Sequence, residues 1–170
     1  MQHIALSFFD KDLCRPFFDR LTDLFHEHHH SEAQDSEGYE NLLYRVHRPY
    51  SPEMLDMIDD WMGLEKRSWR EETQREVLLS LYAIKYPDTL LIESLTDKAR
   101  ADIRRLSAYL HFSHHTYSIW DEDTRKGLGK LGISIPSIDY ADPFVYGAYV
   151  SSIELLKDVA PFTCFLEHDV

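Results

Sequence analysis

The sequence predicts an α+β fold: a helix-rich single domain over residues 1–170 with a small sheet. Its length is about that of one domain, and a chain of this size buries roughly 70% of the surface of its unfolded form. The hydrophobic share of 44% and the aromatic share of 13% are those of a globular chain. Apolar side chains alternate in a few short segments and recur every three to four residues in longer ones, which predicts few strands and several helices.

Four short segments supply the predicted sheet. Residues 2–9 and 39–47 alternate apolar and polar side chains, which is the pattern of a half-buried strand. Further strands are predicted near 133–138, where Pro136 interrupts the segment, and near 162–166. The inward-facing side chains of the first two strands are Ile4, Leu6, Phe8, Leu42, Tyr44 and Val46.

The first two predicted helices lie on either side of the strand at 39–47. Residues 12–30 carry apolar side chains at helical spacing. Ser51 followed by Pro52 is typical of a helix start, with serine as the cap and proline in the first turn. That helix is expected to stop at Gly63.

Capping signals also begin the later helices. Ser68 and Glu71 form a capping box, and Thr96 precedes a run of apolar residues at helical spacing. The three glycines in residues 127–132 predict a mobile segment or a tight turn. A last helix is predicted over residues 142–159.

Acidity dominates the charge of the chain. The net charge is −12, and residues 1–65 hold 14 acids and 5 bases. A field of that sign repels nucleic acid and anionic membranes and attracts cationic partners. We therefore expect no direct binding of nucleic acid or membrane, and we expect the acidic surface to dock a basic protein. The alternative is that the negative charge only keeps the protein in solution.

The helix after Ser51 carries the first predicted docking face. Acids three to four residues apart share one side of a helix. The alternative is a solvated face that Lys66 and Arg67 neutralise in part. The partner-binding residues predicted here are Glu53, Asp56, Asp59 and Asp60.

A second docking cluster is predicted where an aromatic side chain precedes three acids. An exposed aromatic flanked by carboxylates is typical of a binding hot spot for an Arg- or Lys-rich surface. Tyr117 and Tyr146 also fall on segments that are predicted to be surface. The alternative is that the aromatic residue packs in the core. The partner-binding residues predicted here are Trp120, Asp121, Glu122 and Asp123.

Residues 26–30 match the H-E-x-x-H motif of zinc peptidases. In that motif His26 and His30 would bind the metal and Glu27 would act as general base. At about 100° per residue, however, both histidines fall on the side of the predicted helix opposite its apolar face. We therefore expect an exposed helix end and keep the metal site as the alternative.

Three further histidines follow one another closely. His111 and His115 are four residues apart, with His114 between them, which suits a metal if the helix continues. The sequence does not indicate whether this cluster meets the histidines at 26–30. The alternative is a helix end with one packed imidazole ring.

Other motifs that carry chemistry are absent from the sequence. It contains no glycine-rich phosphate loop, no G-x-S-x-G and no C-x-x-C, so no cofactor is expected. Cys14 and Cys164 are expected to be buried thiols in a reducing compartment, and they would pair only if the two ends of the chain met. The first residues lack the basic region of a signal peptide, and a cytoplasmic location is expected.

These patterns favour an acidic protein-binding module that neutralises a basic partner protein. Examples of such a module are an immunity protein and an inhibitor of a nucleic-acid-processing enzyme. The basic partner would be a toxin or a defence nuclease. One alternative is a zinc-dependent hydrolase that uses the H-E-x-x-H helix. The other is a structural or assembly subunit, and the oligomeric state stays open.

Overall fold

A computed structural model describes residues 16, 18, 38–46, 51–83, 93–95, 102–115, 117–130, 132–138 and 142–159. Regular structure in this part of the chain is helical, and it contains no β-strand apart from an isolated bridge residue at Asp102. The predicted α+β class, with its small sheet, is therefore wrong. The strands predicted at 2–9 and 162–166, and nearly all of the helix at 12–30, lie outside the described residues.

Six helices occur in the described part of the chain, and residues 93–95 are helical as well. We number the helices in chain order. They are α1 (38–45), α2 (Pro52–Trp61), α3 (Glu71–Ala83), α4 (Ile103–Ser113), α5 (Glu122–Lys130) and α6 (Pro143–Val159).

Helix α1 occupies the segment that was predicted to be a strand at 39–47. The alternation that suggested a strand includes Tyr44, which is one of the most exposed large side chains. The buried or partly buried apolar residues are instead Tyr39, Leu42, Leu43 and Val46, at i, i+3, i+4 and i+7. That spacing is helical. A helix therefore buries the apolar side chains of this segment together, and the segment is a helix and not a strand.

Helices α2 and α6 confirm their predicted starts. The hydroxyl of Ser51 accepts a hydrogen bond from the backbone N–H of Met54, and the left-handed backbone of Gly63 (φ 63°) follows the end of α2. At the start of α6, one carboxylate oxygen of Asp142 accepts hydrogen bonds from the backbone N–H groups of Phe144 and Val145, each at 2.9 Å.

Helices α3 and α4 begin later than their predicted caps. Helix α3 starts at Glu71 and not after Ser68, since the carbonyl of Arg70 accepts the bond from the N–H of Gln74. Helix α4 starts at Ile103 because Asp102 has an extended backbone (ψ 160°) and its side chain accepts from the N–H of Arg105 at 2.8 Å. The helix predicted to run on from Thr96 is therefore not continuous at Asp102, and residues 96–101 lie outside the described residues.

The glycine-rich segment and the third predicted strand also differ from expectation. Residues 122–130 form α5, which buries Leu128 although it contains two glycines. A turn follows at Gly132, whose φ is 86°. The segment 133–138 has no regular secondary structure; it buries Ile135 but pairs with no strand among the described residues.

Helix α4 is the most buried of the six and lies at the centre of the core. Helices α2 and α3 both pack on it, and seven of its eleven residues are buried. Tyr117, Tyr146 and Tyr149 join its side chains in the interior. The core therefore fixes both ends of α4 relative to the neighbouring helices. Within the described residues, no helix combines the length and the apolar character that crossing a bilayer requires.

Candidate functional site

The predicted acidic residues of α2 separate into one buried and three exposed side chains. Asp59 is only 3% exposed, whereas Glu53, Asp56 and Asp60 are exposed. At about 100° per residue, Asp59 lies within about 60° of the buried Leu55 on the helix. Its carboxylate therefore faces the core and does not belong to the surface on which a partner was predicted to dock.

Three side chains donate hydrogen bonds to the carboxylate of Asp59. Arg67 Nη1 donates to Oδ2, and Arg105 Nε donates to Oδ1 at 3.0 Å. The hydroxyl of Tyr109 also donates to Oδ1, at 2.6 Å. Because Arg67 follows α2 while Arg105 and Tyr109 belong to α4, this buried ionic cluster ties the two helices together.

Arg67 extends the cluster to the surface. Its Nη2 donates to Asp56 Oδ1 at 2.6 Å and to the carbonyl of Pro52 at 3.3 Å. Its guanidinium carbon lies 5.7 Å from the centroid of the Trp69 ring, within the range of a cation–π contact. The guanidinium is 5% exposed, and its buried Nε has no hydrogen-bond partner among the described residues.

The electrostatics of the cluster suit a structural role. Two guanidinium groups face the buried carboxylate of Asp59, and the half-exposed carboxylate of Asp56 supplies the second negative charge. Burial is the main cause that raises the pKa of Tyr109, with the neighbouring Asp59 acting in the same direction. Its phenol therefore stays neutral and keeps its proton for the bond to Asp59. None of these side chains lines either of the two grooves found among the described residues.

The outer face of α2 keeps part of its negative charge. Glu53 and Asp60 form no ion pair with a described residue, while Asp56, 51% exposed, shares Arg67. A hydrogen bond from the Ser51 side chain lowers the pKa of Glu53. Lys66 and Arg67 were expected to neutralise part of this face. Among the described residues, Arg67 pairs with Asp56, whereas Lys66 is exposed and forms no ion pair with the face.

The aromatic residue of the second predicted cluster lies in the core. Trp120 is 4% exposed, its ring packs 4.8 Å from that of Tyr149, and its backbone N–H donates to the Ser107 hydroxyl at 2.8 Å. Tyr117 and Tyr146, which were also predicted on surface segments, are fully buried. The prediction of exposed aromatic residues is therefore wrong, and the alternative, that these residues pack in the core, is correct.

The three acids after Trp120 form the start of α5. Asp121 Oδ2 accepts from the backbone N–H of Thr124 at 2.6 Å, as an N-cap does. Glu122 accepts from Arg125 Nε and Nη2 at 2.8 and 2.5 Å. Asp123, 88% exposed, pairs with Lys126 three residues later.

A groove of about 500 Å³ lies between the starts of α4 and α5. Three carboxylates and one guanidinium line it, together with apolar side chains and one hydroxyl. We call it the acidic groove. Its residues are Asp102, Asp121 and Glu122, with Arg104, Ile103, Trp120, Ser137 and Ile138.

The carboxylates of the acidic groove are held in place before any ligand binds. Asp102 and Asp121 each use one oxygen as a helix cap. A carboxylate has about four acceptor positions on its two oxygens, so each keeps capacity for further donors. Arg125 fixes Glu122 and, as the main cause, lowers its pKa. The groove therefore presents hydrogen-bond acceptors at two helix starts.

Within the described part of the chain, the histidines near the end of α4 have no third ligand with which to form a metal site. His111 Nδ1 lies 2.7 Å from the carbonyl of Tyr117, and Nε2 lies 2.7 Å from the hydroxyl of Tyr39. Both ring nitrogens of His111 thus have hydrogen-bond partners. His115 contacts His111 only by packing of the two imidazole rings. Across the described ranges, no group of three or more His, Cys, Asp or Glu side chains could hold a metal. His26, Glu27 and His30 lie outside them.

Comparisons with known proteins add no relative. No family model matches the chain, and neither a curated protein nor a solved structure matches it.

Sequence reasoning missed the members of both sites that come from distant segments. Asp102 and Arg104 line the acidic groove, and Arg105 and Tyr109 complete the buried cluster. One signal was available for the cluster, because the helical wheel places Asp59 on the apolar face of α2. No sequence signal indicated that the starts of α4 and α5 meet.

Proposed function

We propose that this chain is an acidic binding module that neutralises a basic partner protein, and that the acidic groove receives an arginine side chain of that partner. One observation carries the proposal. Three carboxylates share a groove with only one guanidinium, in a chain whose net charge is −12.

Arginine fits the chemistry of the groove. Its guanidinium forms paired hydrogen bonds with carboxylates, and its aliphatic stem packs on apolar surface. Asp121 and Glu122 supply adjacent carboxylates, and Ile103 and Ile138 supply apolar walls. The volume of about 500 Å³ lies within the range of small-ligand sites, which leaves room for a side chain and its neighbours.

Preorganisation favours binding at this site. The helix caps and Arg125 already immobilise the three carboxylates, so little side-chain freedom is lost when a partner docks. The exposed acids on α2, Glu53 and Asp60, strengthen the long-range attraction. Association should therefore be fast at low salt and slower as salt is raised.

In this proposal the module acts in the cytoplasm. Its partner is a protein with a basic cleft, such as a toxin or a defence nuclease, and the module blocks that cleft as an immunity protein or an inhibitor would. The partner is identified by its chemistry, which is an arginine-rich surface that ordinarily binds phosphate groups.

The test compares three versions of the full chain as immobilised bait in a lysate of the producing organism at low salt. The groove variant combines Asp102→Asn, Asp121→Asn and Glu122→Gln; asparagine keeps both helix caps. The control combines Glu53→Gln, Asp60→Asn and Glu65→Gln, which removes the same charge from exposed positions outside the groove.

We expect the wild-type chain and the control to retain the same basic protein and the groove variant to lose it. Retention that decreases with added salt would agree with electrostatic docking. Equal retention by all three baits would contradict the proposal, as would the absence of any basic protein at low salt. If only the control fails to retain the basic protein, the partner binds to the exposed acids on and after α2 and not to the acidic groove.

A further inference from the structure

Helix α1 contacts the core through one aromatic side chain and two leucines. The ring of Tyr39 packs against Trp61, His111 and Phe112, with centroids 5.8, 5.9 and 5.6 Å away. Its hydroxyl forms the hydrogen bond to His111 Nε2. Leu42 is buried in the core, and Leu43 is partly buried against it. This attachment lies toward the end of α4 opposite the acidic groove.

The hydrogen bonds of His111 determine its tautomer. The carbonyl of Tyr117 can only accept, so His111 Nδ1 carries the proton in that 2.7 Å contact. In the neutral ring Nε2 is then the acceptor, and the hydroxyl of Tyr39 donates to it. The contact between α1 and α4 is therefore built for a neutral imidazole.

A protonated ring fits this position poorly. Nε2 would then become a donor, and the hydroxyl of Tyr39 would have to reverse its role and direct its own proton elsewhere. The titratable groups that face the ring are His115, in the turn after α4, and Lys157, on α6. From α1 the ring contacts the hydroxyl and the ring of Tyr39, and on its own helix it contacts the uncharged ring of Phe112. Among the described residues no carboxylate pairs with it.

The closed position of α1 also leaves one polar group unsatisfied. Trp61 Nε1 is buried and has no hydrogen-bond partner among the described residues. The backbone at the start of α1 covers it, since a Cβ added at Gly38 would lie 3.4 Å from this nitrogen. A buried donor without an acceptor is unfavourable, and it would gain water if α1 moved away.

We propose that His111 is an acid-sensitive latch that holds α1 over Trp61, and that protonation of its ring releases α1 from the core. Release widens the groove of about 260 Å³ between α1 and α2 and exposes the indole N–H of Trp61. Two features act in the same direction, because opening hydrates the charged imidazole and the unsatisfied indole.

The direction of the pH dependence follows from the shift at His111. Burial lowers its pKa from the ordinary value of 6.5, with His115 and Lys157 acting in the same direction and the Tyr117 carbonyl opposing them. When α1 opens, the ring binds its proton more readily. The latch is therefore fully closed above about pH 6.5 and weakens as the pH falls below that value.

Amide hydrogen exchange of the full chain tests the latch. After correction for the intrinsic rate, protection of residues 38–45 should fall between pH 7.5 and pH 5.5, by at most about tenfold. Protection of α5, which does not contact His111, should stay constant. His111→Gln should remove the pH step, and His115→Gln, one turn further along, should retain it.

Two results would overturn the latch. One is unchanged protection of α1 between the two pH values in the wild-type chain. The other is a pH step that persists in His111→Gln. If that variant fails to fold, NMR titration of the wild-type His111 ring decides, since a pKa at or above the ordinary value excludes the mechanism. Tyr39→Phe, which keeps the ring, should lower protection of α1 at both pH values.

Discussion

The acids around Asp59 and the acids at the start of α5 look alike in the sequence and differ in the structure. Asp59 pairs with Arg67 and Arg105, which are 8 and 46 residues away along the chain, and its carboxylate is buried. Glu122 and Asp123 pair with bases three residues later on the same helix and stay at the surface. Partners from distant segments stabilise the fold, whereas local pairs leave the surrounding surface open to binding.

The largest effect should come from removing the buried carboxylate. Asp59→Ala leaves Arg105 without its carboxylate and Arg67 with Asp56 alone. Breaking a buried pair in this way costs about 3–5 kcal/mol. Urea denaturation followed by circular dichroism would measure the loss. Asp60→Ala, at the exposed neighbouring position, is the matched control and should change the unfolding free energy little. Similar losses in both variants would contradict the division between buried and exposed acids.

A smaller loss is expected when the phenol of the cluster is removed. Tyr109→Phe deletes the hydroxyl that donates to Asp59 and accepts from Arg67. A hydrogen bond to a charged group contributes about 1.5–3 kcal/mol to stability. Tyr146→Phe deletes a hydroxyl that donates to a neutral carbonyl, that of Ser118, and should cost about 1 kcal/mol in the same denaturation experiment. If the Tyr146 variant loses more, the cluster does not have the strength inferred here.

The cap of α5 should have a third, still smaller effect. Asp121→Ala removes the acceptor for the N–H of Thr124, and the loss of such a cap costs about 1 kcal/mol. Asp121→Asn should restore most of that stability while still removing the charge. Thermal unfolding of the two variants separates capping from charge. Equal losses would show that charge, and not the cap, stabilises this helix end.

The smallest effect is expected at the exposed pair of α5. Asp123→Asn breaks only the contact with Lys126 at the surface. Exposed pairs contribute little because solvent and salt screen them. The urea midpoint should match that of the wild-type chain, at both low and high salt. A clear shift would mean that local surface pairs contribute more to this fold than the comparison allows.

Local signals could be predicted from the sequence, and contacts between distant segments could not. Ser51-Pro52 and Asp142-Pro143 marked helix starts correctly because a cap is decided within four residues. The segment 39–47 was misjudged because its apolar residues satisfy both the strand period and the helix period. The choice between them depended on what Tyr39 and Leu42 meet in the core.

The glycine content of residues 127–132 also led to a wrong prediction, because other contacts offset the low helix propensity of glycine. Gly127 and Gly129 predicted a turn, yet α5 forms because Asp121 caps it and Leu128 is buried beneath it. The acidic groove shows the same limit. Glu122 was predicted as a docking residue, but its neighbour across the groove, Asp102, comes from a segment whose start was misplaced.

The most direct test of the central claim is an NMR titration of the isotope-labelled full chain with a short arginine-rich peptide at low salt. We predict that amide shifts concentrate at residues 102–104, 120–122 and 137–138 and disappear in the Asp102→Asn, Asp121→Asn, Glu122→Gln variant. Shifts that spread evenly over the acidic surface, or that centre on Glu53 and Asp60, would contradict the account.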